Sequence, residues 1–188
     1  VVLKTMNKPS LWIVGEDVFT KEETMNTQGV LFVHSAPRAL CPHIEWAAGG
    51  ALGAQAKFDW SDQPAAPGLL RAEICWRGPA GSGAKIASAL RGWDNVRYEV
   101  TEEPSEGHDG GRWSHTPELG IYHAITDEFG NSVFHEDRIR SVMEIASGRP
   151  DRFAERMDAL RGQDCVTQLE PFRHAGEGAP HRSLAAVG

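Results

Sequence analysis

Five side chains able to do chemistry crowd into HSAPRALCPH (34–43): His34, Ser35, Arg38, Cys41 and His43. They fall between an apolar run, GVLFV, and a helix-like run, IEWAAGGAL. A strand end turning into a helix N-terminus presents free backbone N–H groups and a partial positive charge, and together these attract anions. Arg38 would add a planar, permanently charged fork, and His34 and His43 tunable donors. Cys41 stands where the helix cap is expected, a position that lowers a thiol pKa. Two functional readings follow. In one, the loop binds a phosphate or carboxylate on a ligand or partner. In the other, Cys41 is a nucleophile with His34 or His43 as its base. The plain alternative is a structural loop: a small buried thiol, an arginine paired to a neighbouring acid, and a histidine satisfied in the core.

A second unusual stretch is the tail RHAGEGAPHR (173–182). Ending a helix does not require two arginines and two histidines, and glycines permit close approach to a ligand or another chain. The expectation is that this tail folds back beside Arg38 and brings Arg173 and His174 to the same pocket.

Other motifs fail on their own chemistry. GPAGSGAK (78–85) follows a strand and opens a helix, as a phosphate-binding P-loop does. Ala84 separates Gly83 from Lys85 and Ile86 replaces the hydroxyl that would hold magnesium, so a tight turn with Ser82 as cap is expected instead. HED (135–137) is not a zinc-protease motif, and His123 opposite His135 in a hairpin would give only two ligands. Neither a metal nor a cofactor is called for by the spacing.

The elements that would position these residues can be read from periodicity. GVLFVHSA (29–36) is a strand apolar on both faces and therefore central. Pro42 suits the first turn of the following helix. AKFDW (56–60) reads as a short strand. LLRAEICWRG (69–78) alternates, with Leu70, Ala72, Ile74 and Trp76 on one face and Arg71, Glu73, Cys75 and Arg77 on the other. GAKIASALR reads as a helix ended by Gly92. NVRYEVTEE (95–103) alternates again, with Arg97 and Glu99 on the charged face. The order β-α-β-β-α-β predicts an α+β, ferredoxin-like split βαβ core: an antiparallel sheet with both helices on one face. EEPSEGHDGGR (102–112) reads as a loop. A C-terminal hairpin follows, with Gly130 as its left-handed residue, and then helices over DRIRSVMEIASG and PDRFAERMDALRG.

Composition narrows the partners. The 188 residues carry a net charge of −7, against the basic surplus expected of a nucleic-acid binder. The aromatics Trp76 and Tyr98 fall on the core register, where they cannot stack on RNA. No apolar run approaches a membrane span, and LWIVG is too short for a signal-peptide core. Three cysteines without a CxxC pair point to reduced thiols in a cytoplasm. The chain begins with Val1, as a non-ATG start codon read literally would give. Met25 is then the expected start, and residues 1–26 are an N-terminal extension: an over-read segment or a loosely attached arm.

The blocks GVLFVHSAPRALCPHIEWA, QPAAPGLLRAEICWRGPAGSGAKIASALRGW, YEVTEEPSEG, HTPELGIYHA and LEPFRHAGEGAP together resemble an actinobacterial family known as domain of unknown function 3145. The resemblance covers residues 27–184, a single α+β domain. It implies a cytoplasmic, actinobacterial protein and transfers no activity, cofactor or catalytic residue.

The expected function is a non-catalytic binding or regulatory module. It would recognise an anionic metabolite or a protein partner through His34, Ser35, Arg38, His43, Arg173 and His174. The alternative is a small acyl-transfer or hydrolase-type enzyme using Cys41 with His34 or His43. A homodimer through the charged sheet face is a third possibility.

Overall fold

The computed structural model describes residues 26–93 and 95–175, and residues 181–185 as backbone. The expected extension at 1–26 therefore lies, apart from Asn26, outside the described residues, as does the middle of the 173–182 tail.

In chain order the elements are β1 (Asn26–Pro37), a one-turn 3-10 helix (Arg38–Leu40), α1 (Cys41–Leu52), β2 (Ser61–Asp62), β3 (Leu69–Pro79), α2 (Ser82–Leu90) and β4 (Arg97–Glu102). There follow β5 (Gly110–Thr116), β6 (Gly120–Thr126), β7 (Ser132–Val133), α3 (Glu136–Ala146), α4 (Pro150–Leu160), α5 (Gln163–His174) and β8 (His181–Ala185). The fold is α+β. Seven strands form an open antiparallel sheet in the order β2-β3-β1-β4-β5-β6-β7. β8 runs parallel to β3, pairing along Glu73–Arg77 beyond the stretch that β2 occupies.

The period-2 patterning sorts the two sheet faces as expected. Leu31, Val33, Ala72, Ile74, Trp76, Tyr98 and Val100 point one way and are at most 3% exposed. They pack against Ile44, Ala48 and Leu52 of α1 and Ile86, Ala87 and Leu90 of α2. Each large aliphatic side chain buried there contributes about 1.5–3 kcal/mol. Tyr98 also ties sheet to helix, because its hydroxyl donates to the Ala87 carbonyl at 2.8 Å. Pro42 does sit in the first turn of α1, although Cys41 is the first helical residue and not the cap.

Several local expectations are corrected. AKFDW is not a strand; the pairing begins only at Ser61. The glycine-rich stretch ending in Arg112 is a loop only as far as Asp109. Gly110 onward forms β5, which turns the expected hairpin into a three-strand meander. Gly130 is left-handed, with φ 80°, as the hairpin loop requires. β7 stops at Val133, however, and His135 is the cap of α3. His123 stacks on Trp113, with centroids 4.6 Å apart, and the β6–β7 pairing ends at Ile125–Val133, short of the two histidines. After α4, residues 163–174 form a further helix, α5, with Pro171 inside it.

α5 lies on the charged sheet face. The pairing puts Phe32, Glu99, Ser114 and Tyr122 in one row across that face, and Thr101, Arg112 and Ala124 in the next. Leu169 of α5 is fully buried, and the Tyr122 hydroxyl donates to the Leu160 carbonyl at 2.9 Å. Gly162, with φ 68°, begins α5. A Cβ there would come within 2.5 Å of the Tyr122 ring, so the chain enters α5 through a close approach that only glycine allows. Part of the face proposed for a homodimer is thus covered by the protein's own helix. Among the described residues, no helix is long and apolar enough to cross a membrane.

Candidate functional site

Burying an ionised carboxylate is costly unless it is paired and fully hydrogen-bonded. Glu99, 5% exposed at the centre of the second sheet face, meets that demand with three partners. His34 Nε2 donates to Oε2 at 2.8 Å. Arg173 grips both oxygens, Nε to Oε2 at 2.8 Å and Nη2 to Oε1 at 2.6 Å. The Ser114 hydroxyl donates to Oε1 at 3.0 Å. Burial alone would raise the Glu99 carboxyl pKa. The hydrogen bonds and positive charges of His34 and Arg173 outweigh it and hold the group well below the usual carboxylate range.

Local sequence explains how these groups meet. β1 changes register against both neighbours between Val33 and Ala36, and this bulge lies at His34 and Ser35. Gln63, 1% exposed, bridges β1 to the end of α5, donating to the His34 carbonyl at 2.6 Å and, more loosely, to the Phe172 carbonyl at 3.4 Å. Arg97 stacks its guanidinium on the Phe172 ring at 4.8 Å and pairs with Glu118 at 3.1 Å.

The expected binding residues are therefore only partly assembled. His34 and Arg173 share one carboxylate. Arg38 is exposed on the 3-10 helix and, among the described residues, has no hydrogen bond or ion pair with α5. Of the 173–182 tail, Arg173 at the end of α5 meets the His34 end of the 34–43 segment through Glu99 and not Arg38; residues 176–180 lie outside the described residues. His43 is exposed, and His174 is exposed on Glu170, 2.9 Å away. Ser35 is fully buried with its hydroxyl unpartnered. Cys41 is buried, its thiol 3.7 Å from the Pro37 carbonyl. Burial, reinforced by Glu45, pushes that thiol pKa up despite the charge of Arg38.

The GPAGSGAK turn does bind an anion, and the anion is internal. The backbone N–H groups of Gly81 and Gly83 donate to the two oxygens of Glu102 at 2.5 and 2.7 Å. Ser82 is not the cap. Gly81 caps α2 in the left-handed region, and the Ser82 hydroxyl donates to the Pro79 carbonyl. A Cβ on Gly83 would lie 2.7 Å from Glu102 Oε2 and 2.8 Å from the Trp113 ring, leaving no space for a phosphate.

Beside the Glu99 cluster lies a cavity of about 360 Å³ that sequence reasoning missed. Three arginines line it: Arg112 from β5, Arg161 from the end of α4 and Arg173 from α5. Ser132 and Gln163 add a hydroxyl and an amide, and Phe134 and Val166 an apolar side. No carboxylate is in the lining. Arg112 has no ion pair among the described residues, and its Nε is buried without a partner. Strand alternation across GGRWSHT was the signal for Arg112, masked by the glycines before it. Among the described residues, no group of three His, Cys, Asp or Glu side chains could hold a metal.

No curated protein and no solved structure matches the chain. One family does match, over residues 30–186. That span includes β1 from Val30 onward, the GPAGSGAK turn, Glu99, Arg112, Arg161 and Arg173, hence both sheet faces and every residue that lines the cavity. The chain belongs to the family described as protein of unknown function (DUF3145).

Proposed function

We propose that the protein is a non-catalytic binding module for a small anionic molecule, with the arginine-lined cavity as its seat. The observation that carries this reading is Arg112, which lines a cavity whose lining holds no carboxylate and which has no ion pair among the described residues. Arginine forks recognise carboxylate and phosphate in preference to other partners. Arg173, the one expected ligand residue that reaches the cavity, is fixed in orientation by Glu99 and so stands preorganised. The polar and apolar mixture of the lining suits a metabolite.

We read the order β2-β3-β1-β4, with α1 and α2 on one face, as a ferredoxin-like split βαβ core. In that reading β5–β7 and α3–α5 are the additions that create the cavity. Three free thiols favour a cytoplasmic setting. The enzyme alternative needs an activated Cys41, and a buried thiol whose pKa is raised argues against it.

The test is thermal unfolding of the full chain against sulfate, phosphate, citrate and chloride at matched ionic strength, with Arg112→Ala in parallel. An anion present at a hundredfold its dissociation constant should add about 2.7 kcal/mol of stability. That gain should vanish in Arg112→Ala. Equal stability in all four salts would end the proposal.

A further inference from the structure

We infer that the cavity takes a phosphate monoester of a small organic molecule, in preference to a carboxylic acid. This rests on the anion-binding reading above and specifies its ligand class.

The first argument is charge balance. The positive charge of Arg173 is matched inside the protein by the bidentate pair with Glu99 and by Glu170, whose Oε2 accepts from Nη1 at 3.0 Å. Arg112 has no counter-ion among the described residues. Arg161 has Asp158, but at 3.6 Å and with both side chains 56% exposed, where an ion pair is weak. One unpaired and one weakly paired cation therefore border one small space. A phosphate monoester is largely dianionic at neutral pH, with a second pKa of about 6, and neutralises both. A monocarboxylate leaves one unmatched.

The second argument is direction. The three guanidiniums come from three elements, a strand, the end of one helix and the far end of the next. A tetrahedral oxyanion accepts hydrogen bonds from several directions at once; a planar carboxylate accepts them in its plane. The third is the remaining wall. Phe134 and Val166 give a compact apolar group somewhere to rest, which inorganic phosphate would leave empty.

The experiment is isothermal titration of the full chain with phenyl phosphate, inorganic phosphate, benzoate and succinate at constant ionic strength. Phenyl phosphate and benzoate share a ring and differ in the anion. Succinate is a dianion without a tetrahedral centre. The expected result is phenyl phosphate binding at least tenfold tighter than each of the other three. Its affinity should fall at least tenfold in Arg112→Ala and in Arg161→Ala, and stay unchanged in Arg38→Ala. Arg112→Lys, which keeps charge and loses the fork, should lie between, and circular dichroism checks that each variant is folded. Benzoate or succinate binding as tightly as phenyl phosphate overturns the phosphate assignment while the anion reading stands. Inorganic phosphate equalling phenyl phosphate overturns the role given to the apolar wall. Phenyl phosphate binding undiminished in both arginine variants overturns the cavity as the site. No binding of any anion overturns this inference and the reading beneath it together.

Discussion

The turn into α2 and the cavity under α5 lie on opposite faces of the same sheet, and both gather groups that attract negative charge. They differ in where that charge comes from. At the α2 turn, Glu102 of β4 supplies it, and two backbone N–H groups are satisfied within the fold. Under α5, Glu99 of the same strand satisfies Arg173 and His34, while Arg112 has no acid partner among the described residues. A positive site filled by the protein is part of its stability. A positive site left open, on a framework held rigid by a neighbouring ion pair, is available to a ligand. The comparison can be broken or sharpened by removing each charge in turn.

The largest effect belongs to Glu99. Glu99→Ala would leave Arg173 half-buried and His34 buried without their shared partner, and removing one member of a buried pair costs about 3–5 kcal/mol. Urea denaturation measures it; a loss under 1 kcal/mol would mean that the cluster does not anchor α5. Acid adds a second reading of the same pair. Because the folded-state pKa of Glu99 is depressed, its contribution is fully present above the ordinary glutamate pKa of about 4.3 and is lost as pH falls below it. His34, Arg173 and Ser114 face the side chain of residue 99 in both proteins under comparison, and only the carboxylate titrates. The wild type should therefore lose stability more steeply than Glu99→Gln between pH 5 and 2, in thermal unfolding scans, on the order of the window expected for one such group.

Next in size is Glu102. Glu102→Ala would leave the N–H groups of Gly81 and Gly83 unmet, a penalty of about 1–3 kcal/mol. It would also vacate the turn, so the α2 N-terminus should become an anion site, and tens of millimolar phosphate should restore part of the lost stability relative to chloride. The wild type should show no such gain from this turn. A Glu102→Ala protein equally stable in both salts would show that the turn is only a tight connection.

The two sites were unequally legible in the sequence. Alternation alone put Ile74, Trp76, Tyr98 and Val100 in the core, and the failed lysine and hydroxyl positions disqualified GPAGSGAK as a nucleotide site. Those are local patterns, read within ten residues. The partner that fills the turn, Glu102, is 19 residues from Gly83 and appears in the sequence as one of several acids in EVTEE. The Glu99 cluster joins residues 65 and 74 apart, through a helix concealed by Pro171 and by the glycines after it. The 34–43 segment and Arg173 stood out because their composition is unusual. Arg112 and Arg161 are ordinary surface-type residues in sequence, and only the meander and the α4–α5 corner bring them together. Sequence reveals which groups can bind; which remain uncompensated is a property of the tertiary pairing.

The smallest expected change in stability comes from Arg112, and it separates the two sites most sharply. Arg112→Ala removes a charge that nothing in the described fold pairs with, and a donor, Nε, that has no acceptor. Deleting a buried group that is already unsatisfied loses no internal bond. Its aliphatic stem contributes some packing against β4 and β6, so the net change in unfolding free energy should stay within about 0.5 kcal/mol of zero. Glu102→Ala, on a similarly placed sheet residue, should exceed that several-fold. Chemical denaturation in chloride measures both. A destabilisation by Arg112→Ala as large as that of Glu102→Ala would mean that Arg112 already has an internal partner, and the cavity would then be filled from within, like the turn into α2.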